Sequence, residues 1–115
     1  MRAGPDNLLA LARRAIVPSE KQVQAAVVRL YTLAGCAVYN LSQARATMQS
    51  PGLPDLYVFH ADTGTAWWHE VKRPGGKPSP AQLEFQARCA ACGVPYLLGG
   101  LEEAEARVRM IRPRP

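Results

Sequence analysis

The chain of 115 residues, 48% hydrophobic and 20% charged, is long enough for one folded soluble domain and too short for a second recognition domain. Its net charge of +5 favours a polyanionic partner, although a basic domain can also merely be soluble. Three cysteines, no signal peptide and no apolar run of roughly 18 residues argue against a secreted or membrane protein, so we expect a cytoplasmic one.

Two helices are predicted before the first strand. The helix over 6–16 is amphipathic with a basic end, and we leave its function open. The second helix starts at a capping box of Ser19 and Gln22, and its apolar face consists of Val23, Ala26, Val27, Leu30 and Ala34. Glu20 stands at the head of that face. It either points toward a site or only stabilises the helix dipole by about 0.3–1 kcal/mol.

The segment 36–41 is nearly all apolar and predicts a first strand that is central or covered on both faces. A polar loop over 42–50 follows it. Loops of this length beside a motif are often functional. Arg45 is our candidate there for a phosphate contact, and an exposed loop without such a role explains the pattern equally well.

A β-hairpin is predicted from the apolar runs 56–59 and 66–69, which the turn residues 62–65 join. The Pro-Gly-Leu-Pro stretch over 51–54 gives the hairpin a stiff entry that places Asp55 at the start of its first strand. Because the two strands are antiparallel, the start of the first meets the end of the second at one edge of the sheet.

Carboxylates converge at this edge, and we interpret them as a divalent-metal site. Glu70 approaches the end of the second strand, and Lys72 shares its face because side chains alternate along a strand. Mg²⁺ is usually held by one or two carboxylates, here Asp55 and Glu70, and the Val71 carbonyl offers a further oxygen. Lys72 would orient the nucleophile or offset negative charge. The alternative is a solvated pair of Glu70 and Lys72 worth about 0–1 kcal/mol.

The Pro- and Gly-rich segment 73–78 predicts a turn at the mouth of this site, where Arg73 and Lys77 are available to phosphates. A third helix then begins with Ser79-Pro80-Ala81-Gln82. Gln82 fits a capping box at this position, so a purely structural role explains it as well as a role in the site does.

The end of the chain predicts a strand over 94–99 that pairs in parallel with the Glu70 strand through a right-handed crossover. A last amphipathic helix covers 101–110, and a basic tail covers 111–115.

Cysteine and histidine residues offer a second possible metal site, which we do not favour. Cys89 and Cys92 have zinc-ligand spacing but fall inside one predicted helix, and no second pair of this kind accompanies them. His69 alternates to the face opposite Glu70, so we interpret it as a packing histidine rather than a general base.

The motifs together resemble the PD-(D/E)XK nuclease superfamily, whose signature is matched by Pro54-Asp55 followed by Glu70-Val71-Lys72. With Glu20 upstream and Ser79-Pro80-Ala81-Gln82 downstream, the set looks like the VRR-NUC branch and spans about 19–99. The element order α-α-β-β-β-α-β-α matches the restriction-endonuclease-like core that this resemblance implies. We therefore expect one α/β domain over 1–115, with a mixed four-stranded sheet flanked by helices.

The resemblance implies a Mg²⁺- or Mn²⁺-dependent DNA endonuclease. Its substrate would be branched DNA such as a Holliday junction, cut by a homodimer in a bacterial or phage-infected cell. The implied metal ligands are Asp55, Glu70 and Val71, the implied catalytic residues add Lys72, Glu20 and Gln82, and the expected DNA contacts are Arg45, Arg73 and Lys77. Two alternatives stay open: a catalytically silent DNA-binding module, and a nuclease subunit that depends on a partner protein.

Overall fold

The computed structural model of the chain describes residues 17–42 and 50–111. The predicted helix over 6–16, Arg45 and the tail after Ile111 lie outside these residues. The elements of the described residues are, in order, α1 (Glu20–Leu33), β1 (Ala37–Asn40), β2 (Leu56–His60), β3 (Thr65–Val71), α2 (Pro80–Cys92), β4 (Tyr96–Gly99) and α3 (Leu101–Ile111).

The four strands form one mixed sheet in the order β1-β2-β3-β4. The first three are antiparallel neighbours, and β4 pairs in parallel with β3 after the α2 crossover. The predicted mixed sheet flanked by helices is therefore confirmed. The turn between β2 and β3 closes with a hydrogen bond of 3.2 Å from the Gly64 N–H to the Ala61 carbonyl.

The prediction that β1 is central or covered on both faces is wrong. Within the sheet of the described residues β1 lies at an edge, and Tyr39 is 55% exposed. The strand alternates instead, with Val38 packed against the core. The sequence alone cannot distinguish an exposed aromatic residue from a buried one, so the apolar run predicted a strand covered on both faces.

Helix α1 forms where the sequence predicts it. The Ser19 side chain accepts from the Gln22 N–H at 3.2 Å, and the Gln22 side chain accepts from the Ser19 N–H at 2.9 Å. Such a cap stabilises a helix by about 1 kcal/mol. The predicted stripe of Val23 and Val27 is buried, and it continues to Tyr31, which the prediction omitted although it lies one turn further on.

The core lies between one face of the sheet and the helices α1 and α3, which also pack against each other. The side chains that fill it from the sheet are Val38, Leu56, Val58, Trp67 and Val71. Helix α2 lies on the other face, where Phe85 packs edge-on against Trp68 with ring centroids 5.3 Å apart. The two faces are thus covered to different extents.

No helix in the described ranges is both long and apolar enough to span a membrane.

Candidate functional site

The start of β2 and the end of β3 meet at one edge of the sheet, as predicted. Leu56 pairs with His69, so one step further along the two strands Asp55 stands opposite Glu70 on the same face. The Val71 N–H donates to Oδ2 of Asp55 at 2.9 Å. This bond holds the Asp55 carboxylate at the end of β3, beside Glu70.

The loop before β2 holds Asp55 in position through a close contact with α2. Gly52 has a φ of +80°, and a Cβ at this position would overlap the Ala81 carbonyl in the first turn of α2. Pro54 is fully buried, and the Asp55 carbonyl accepts from the Leu41 N–H at 2.7 Å. The Pro-Gly-Leu-Pro stretch is therefore a close-fitting support for Asp55.

Three carboxylates gather at this point. Glu20, at the N-terminus of α1, joins Asp55 and Glu70, and one oxygen of each lies within 4.8 Å of the other two. Oxygens that share an octahedral Mg²⁺ lie about 2.9–4.2 Å apart, given metal–oxygen distances of about 2.1 Å. Shifts of about 1 Å or less for each oxygen would therefore bring all three onto one cation.

Glu70 shows that the group fits a cation. The residue is 1% exposed, and its Oε1 has no hydrogen-bond partner among residues 17–42 and 50–111. Burial and the negative charge of Asp55 raise the pKa of Glu70 to about 8, against a smaller opposing effect of Lys72. A buried carboxylate with an unpaired oxygen is costly unless it is neutralised, and a bound divalent cation would neutralise it.

Lys72 lies over the carboxylates. Its Nζ is 3.5 Å from Oε2 of Glu70 and 3.9 Å from Oε1 of Glu20, and its side chain is only 13% exposed. The Lys72 N–H donates to Gly99 on the β4 side at 3.0 Å, whereas the Val71 N–H points to Asp55. Since the N–H and C=O of a strand residue point to the same side, the Val71 carbonyl faces Asp55 as well.

The other predicted site residues lie around this group. Gln82 closes a capping box: its Oε1 accepts from the Ser79 N–H at 2.8 Å, and its own N–H donates to Ser79 Oγ at 3.2 Å. Arg73 and Lys77 are exposed in the segment between β3 and α2. The carboxylate group does not include Gln82, and the roles assigned to these three residues stay predictions.

His69 is a packing histidine, as predicted. It is fully buried on the face opposite Glu70, where its Nδ1 lies 2.8 Å from the Tyr31 hydroxyl and its Nε2 lies 2.9 Å from the Gly99 carbonyl. The carbonyl can only accept, so Nε2 carries the proton and Nδ1 accepts from Tyr31. The Tyr31 oxygen in turn accepts from the Trp67 indole N–H at 3.3 Å. Burial lowers the pKa of His69, which keeps the ring neutral.

Tyr96 is a neighbour of the site that the motifs do not predict. Tyr96 pairs with Trp68 and lies on the Glu70 face, and its hydroxyl is buried without a hydrogen-bond partner in the described part of the chain. Burial, and then the charge of Glu70, raise the pKa of this hydroxyl. Only the register of β4 against β3 reveals this neighbour, and the sequence gives no signal for that register.

Cys36 is buried in the core, apart from the other two cysteines. Cys89 and Cys92 are three residues apart on α2, where Cys89 is buried and Cys92 is exposed at the end of the helix. All three are free thiols.

Comparison with solved structures finds a chain described as a VRR_NUC domain. The two chains are 27% identical, and they superpose with a TM-score of 0.65 over 78% of this chain and 94% of the other. A scan against protein-family models and a comparison with curated proteins give no match. The resemblance inferred from the motifs is thereby confirmed: this chain is similar to a VRR_NUC domain in fold and in sequence, and its fold carries an acidic triad that could bind a metal.

Proposed function

We propose that this chain is a DNA endonuclease that hydrolyses phosphodiester bonds and depends on Mg²⁺ or Mn²⁺. The observation that carries the proposal is the group of Glu20, Asp55 and Glu70 beneath Lys72, at the same edge of a VRR_NUC-like sheet. Similarity to a VRR_NUC domain supports a nuclease. The acidic group adds the ligands that the chemistry requires.

Asp55 and Glu70, with the Val71 carbonyl and Glu20, would hold the cation. A divalent cation bound there supplies Lewis acidity to water and to the scissile phosphate. Asp55 is positioned for this role because its second oxygen already accepts from Val71. Glu70 must lose its proton before it can bind a cation. Because Glu70 is buried, little water screens its charge, so its carboxylate would attract a bound cation strongly.

Lys72 has the catalytic role in this proposal. Its ammonium is within 4 Å of the Glu20 and Glu70 carboxylates. With those carboxylates holding a cation, the ammonium would be available to a phosphate oxygen or an attacking water. It would orient the water in line with the leaving group and offset negative charge that develops on the phosphate.

The substrate we propose is branched DNA, cut by a homodimer. The net charge of +5 and the exposed Arg73 and Lys77 favour a polyanion. Selection of the substrate by DNA shape instead of by base sequence is part of this proposal. Two copies would supply two active sites for paired cuts across a junction.

The test is cleavage of labelled four-way junction, flap, duplex and single-stranded DNA by the purified chain with Mg²⁺, Mn²⁺ or EDTA. We expect metal-dependent cuts that are fastest on a branched substrate, and symmetric nicks if the chain acts as a dimer. Asp55→Asn is the matched inactive variant, because the amide oxygen can still accept from the Val71 N–H. DNA binding without any cutting would point to a silent module or to a nuclease that needs a partner protein.

A further inference from the structure

A row of aromatic side chains crosses the sheet on the face that carries Asp55 and Glu70. Tyr39, Tyr57, Trp68 and Tyr96 stand side by side across the four strands, because the register pairs Tyr39 with Tyr57, Tyr57 with Trp68, and Trp68 with Tyr96. Phe59 lies two residues from Tyr57 on the same face. We call the members of this row, together with Phe59, the aromatic face.

The rings of the aromatic face contact one another in a continuous series. The ring centroids are 5.5 Å apart for Tyr39 and Phe59, 4.7 Å for Phe59 and Tyr57, and 4.3 Å for Tyr57 and Trp68. Separations of this size are typical of interacting aromatic pairs, which hold each other in fixed orientations. The rings therefore form one continuous surface across β1, β2 and β3.

Helix α2 covers only one half of the aromatic face. Phe85 packs on Trp68 and Tyr96, over β3 and β4. Over β1 and β2, the part of the aromatic face that we call its open half, Tyr39 is 55% and Phe59 38% exposed. On the opposite face of the same strands Val58 is fully buried. Exposed aromatic side chains that lie side by side offer flat faces on which other rings can stack.

The open half is continuous with the candidate active site. Asp55, Tyr57 and Phe59 are spaced two residues apart, so their side chains lie on the same face of the sheet. At about 3.4 Å per residue, Tyr57 and Phe59 lie about 7 and 13 Å from Asp55. Stacked nucleotides rise about 3.4 Å each, so these distances correspond to roughly two and four nucleotides along a strand. A strand cut at Asp55 can thus extend over Phe59 and Tyr39.

We propose that unpaired bases of the DNA substrate stack on Tyr39 and Phe59 while the strand is held at the acidic site. This inference rests on the proposed nuclease function and defines its substrate further, as DNA with a single-stranded segment next to the cut. Stacking of bases on aromatic side chains is strong and tolerant of sequence. The positive charge of the chain provides the accompanying attraction for the phosphates.

A second copy of the chain is a poorer fit to the open half. Aromatic side chains present about 150–250 Å² each when fully exposed, so Tyr39 and Phe59 together offer roughly 200 Å². A stable protein interface needs about 800 Å² from each partner. Two rings suit a pair of bases much better than they suit a protein surface.

The experiment measures binding of a labelled single-stranded oligonucleotide and of a blunt duplex of equal length by fluorescence anisotropy in EDTA. We expect the double variant Tyr39→Ala/Phe59→Ala to lose at least about tenfold in affinity for the single strand, and less than about twofold for the duplex. The slope of affinity against salt should stay unchanged, because no phosphate contact is removed.

Two single variants separate stacking from plain apolar contact. Tyr39→Phe keeps the ring and should bind the single strand as the wild type does, whereas Tyr39→Leu keeps an apolar side chain and should bind more weakly. Leu33→Ala, 75% exposed at the end of α1, is the control for removing an exposed apolar residue elsewhere, and it should not change binding. Tyr39→Leu also serves if the double variant fails to fold.

Three results would overturn the proposal. They are unchanged binding of the single strand by the double variant, equal losses for single strand and duplex, and a wild-type dimer that the double variant converts to a monomer. The binding assay needs neither metal nor cleavage, so it can fail while the wild type still cuts DNA. Conversely, absence of cleavage on every substrate would remove the nuclease without changing the binding result.

Discussion

His69 and Glu70 are neighbours in β3, and both are buried polar residues. They lie on opposite faces of the sheet and differ in their hydrogen bonding. His69 faces α1, and both its ring nitrogens have partners, Tyr31 and the Gly99 carbonyl. Glu70 faces the other way, and its Oε1 lacks a partner within the described ranges of the chain. Polar groups with complete hydrogen bonding stabilise a fold, whereas a buried carboxylate with an unpaired oxygen marks a candidate functional site. The contrast separates the structural face from the functional face.

The largest effect we predict is on the functional face. Lys72→Ala should lower the rate of cleavage at saturating DNA by at least about 10²–10³-fold, because a positive group next to the scissile phosphate is lost. DNA affinity should change by less than about threefold, since other lysines and arginines carry the nonspecific attraction.

Single-turnover cleavage and anisotropy measure the two quantities for Lys72→Ala. The charge-matched control is Lys21→Ala on the exposed side of α1, which should cut as the wild type does. Turnover by Lys72→Ala within about threefold of the wild type would contradict the role that we give to Lys72.

On the structural face, which carries His69, we predict a loss of stability without a loss of cleavage. His69→Ala should lower the free energy of unfolding by about 2–4 kcal/mol, because it opens a cavity, leaves the buried Tyr31 O–H without its acceptor and removes one of the two donors to the Gly99 carbonyl. For a domain of this size the melting temperature should fall by about 10 °C or more. Metal-dependent cutting should persist at low temperature.

Glu70→Gln is the matched comparison one residue further along the strand. It should melt at the wild-type temperature or above it, because a neutral amide replaces a buried acid. A His69→Ala variant as stable as the wild type would show that the hydrogen-bonded network on this face contributes little.

The third prediction concerns pH. The pKa of Glu70 is 4.5 when exposed and about 8 in the metal-free fold, so between these values the folded state holds a proton that the unfolded state has lost. The stabilisation is therefore complete below about pH 4.5 and is lost as the pH rises toward 8. Thermal unfolding in EDTA should show this loss, and Glu70→Gln should remove it.

The same proton competes with the cation. Saturating Mn²⁺ should raise the melting temperature more at pH 8 than at pH 6, because binding at the lower pH must first displace the Glu70 proton. A melting temperature in EDTA that is flat over this pH range, or an Mn²⁺ effect that is larger at pH 6, would contradict the assignment of Glu70 as a ligand.

The smallest effect concerns the support of Asp55. Gly52 and Gly75 both have a φ of +80°, but a Cβ at Gly52 meets the Ala81 carbonyl, whereas at Gly75 nothing lies within 4 Å. Both alanine variants should lose about 1 kcal/mol to backbone strain. Gly52→Ala should lose more stability, because the turn must also move away from α2, and it should cut several-fold more slowly because Asp55 moves with the turn.

Gly75→Ala measures the effect of backbone strain alone. The difference in stability and in cleavage rate between the two variants therefore gives the effect of the contact between residue 52 and Ala81. Melting temperatures and single-turnover rates provide the comparison. Equal values for both variants would show that the contact with α2 does not position Asp55.

Much of this site could be predicted from the sequence because its signals are local. The turn at residues 62–65 and the Pro-Gly-Leu-Pro stretch fix the hairpin, and antiparallel pairing alone then brings Asp55 to Glu70. The capping box at Ser19 fixes the start of α1, which places Glu20 near the same edge.

The remaining features depend on pairings between distant parts of the chain. Tyr31 reaches His69 across 38 positions, and Tyr96 reaches the Glu70 face only through the parallel register of β4. The apolar letters of β1 could not distinguish Val38, which packs inward, from Tyr39, which faces outward. Side chains alternate along any strand, but the burial of each face depends on which helices cover it.

The most direct test of the account is cleavage of one branched substrate by the wild type and by Glu70→Gln over a range of Mg²⁺ concentrations, with EDTA as the zero point. We expect cutting by the wild type that saturates with Mg²⁺ and stops in EDTA. Glu70→Gln should not cut at any Mg²⁺ concentration, although it is at least as stable. Cutting by Glu70→Gln at the wild-type rate, or by the wild type in EDTA, would contradict a metal-dependent nuclease centred on Glu70.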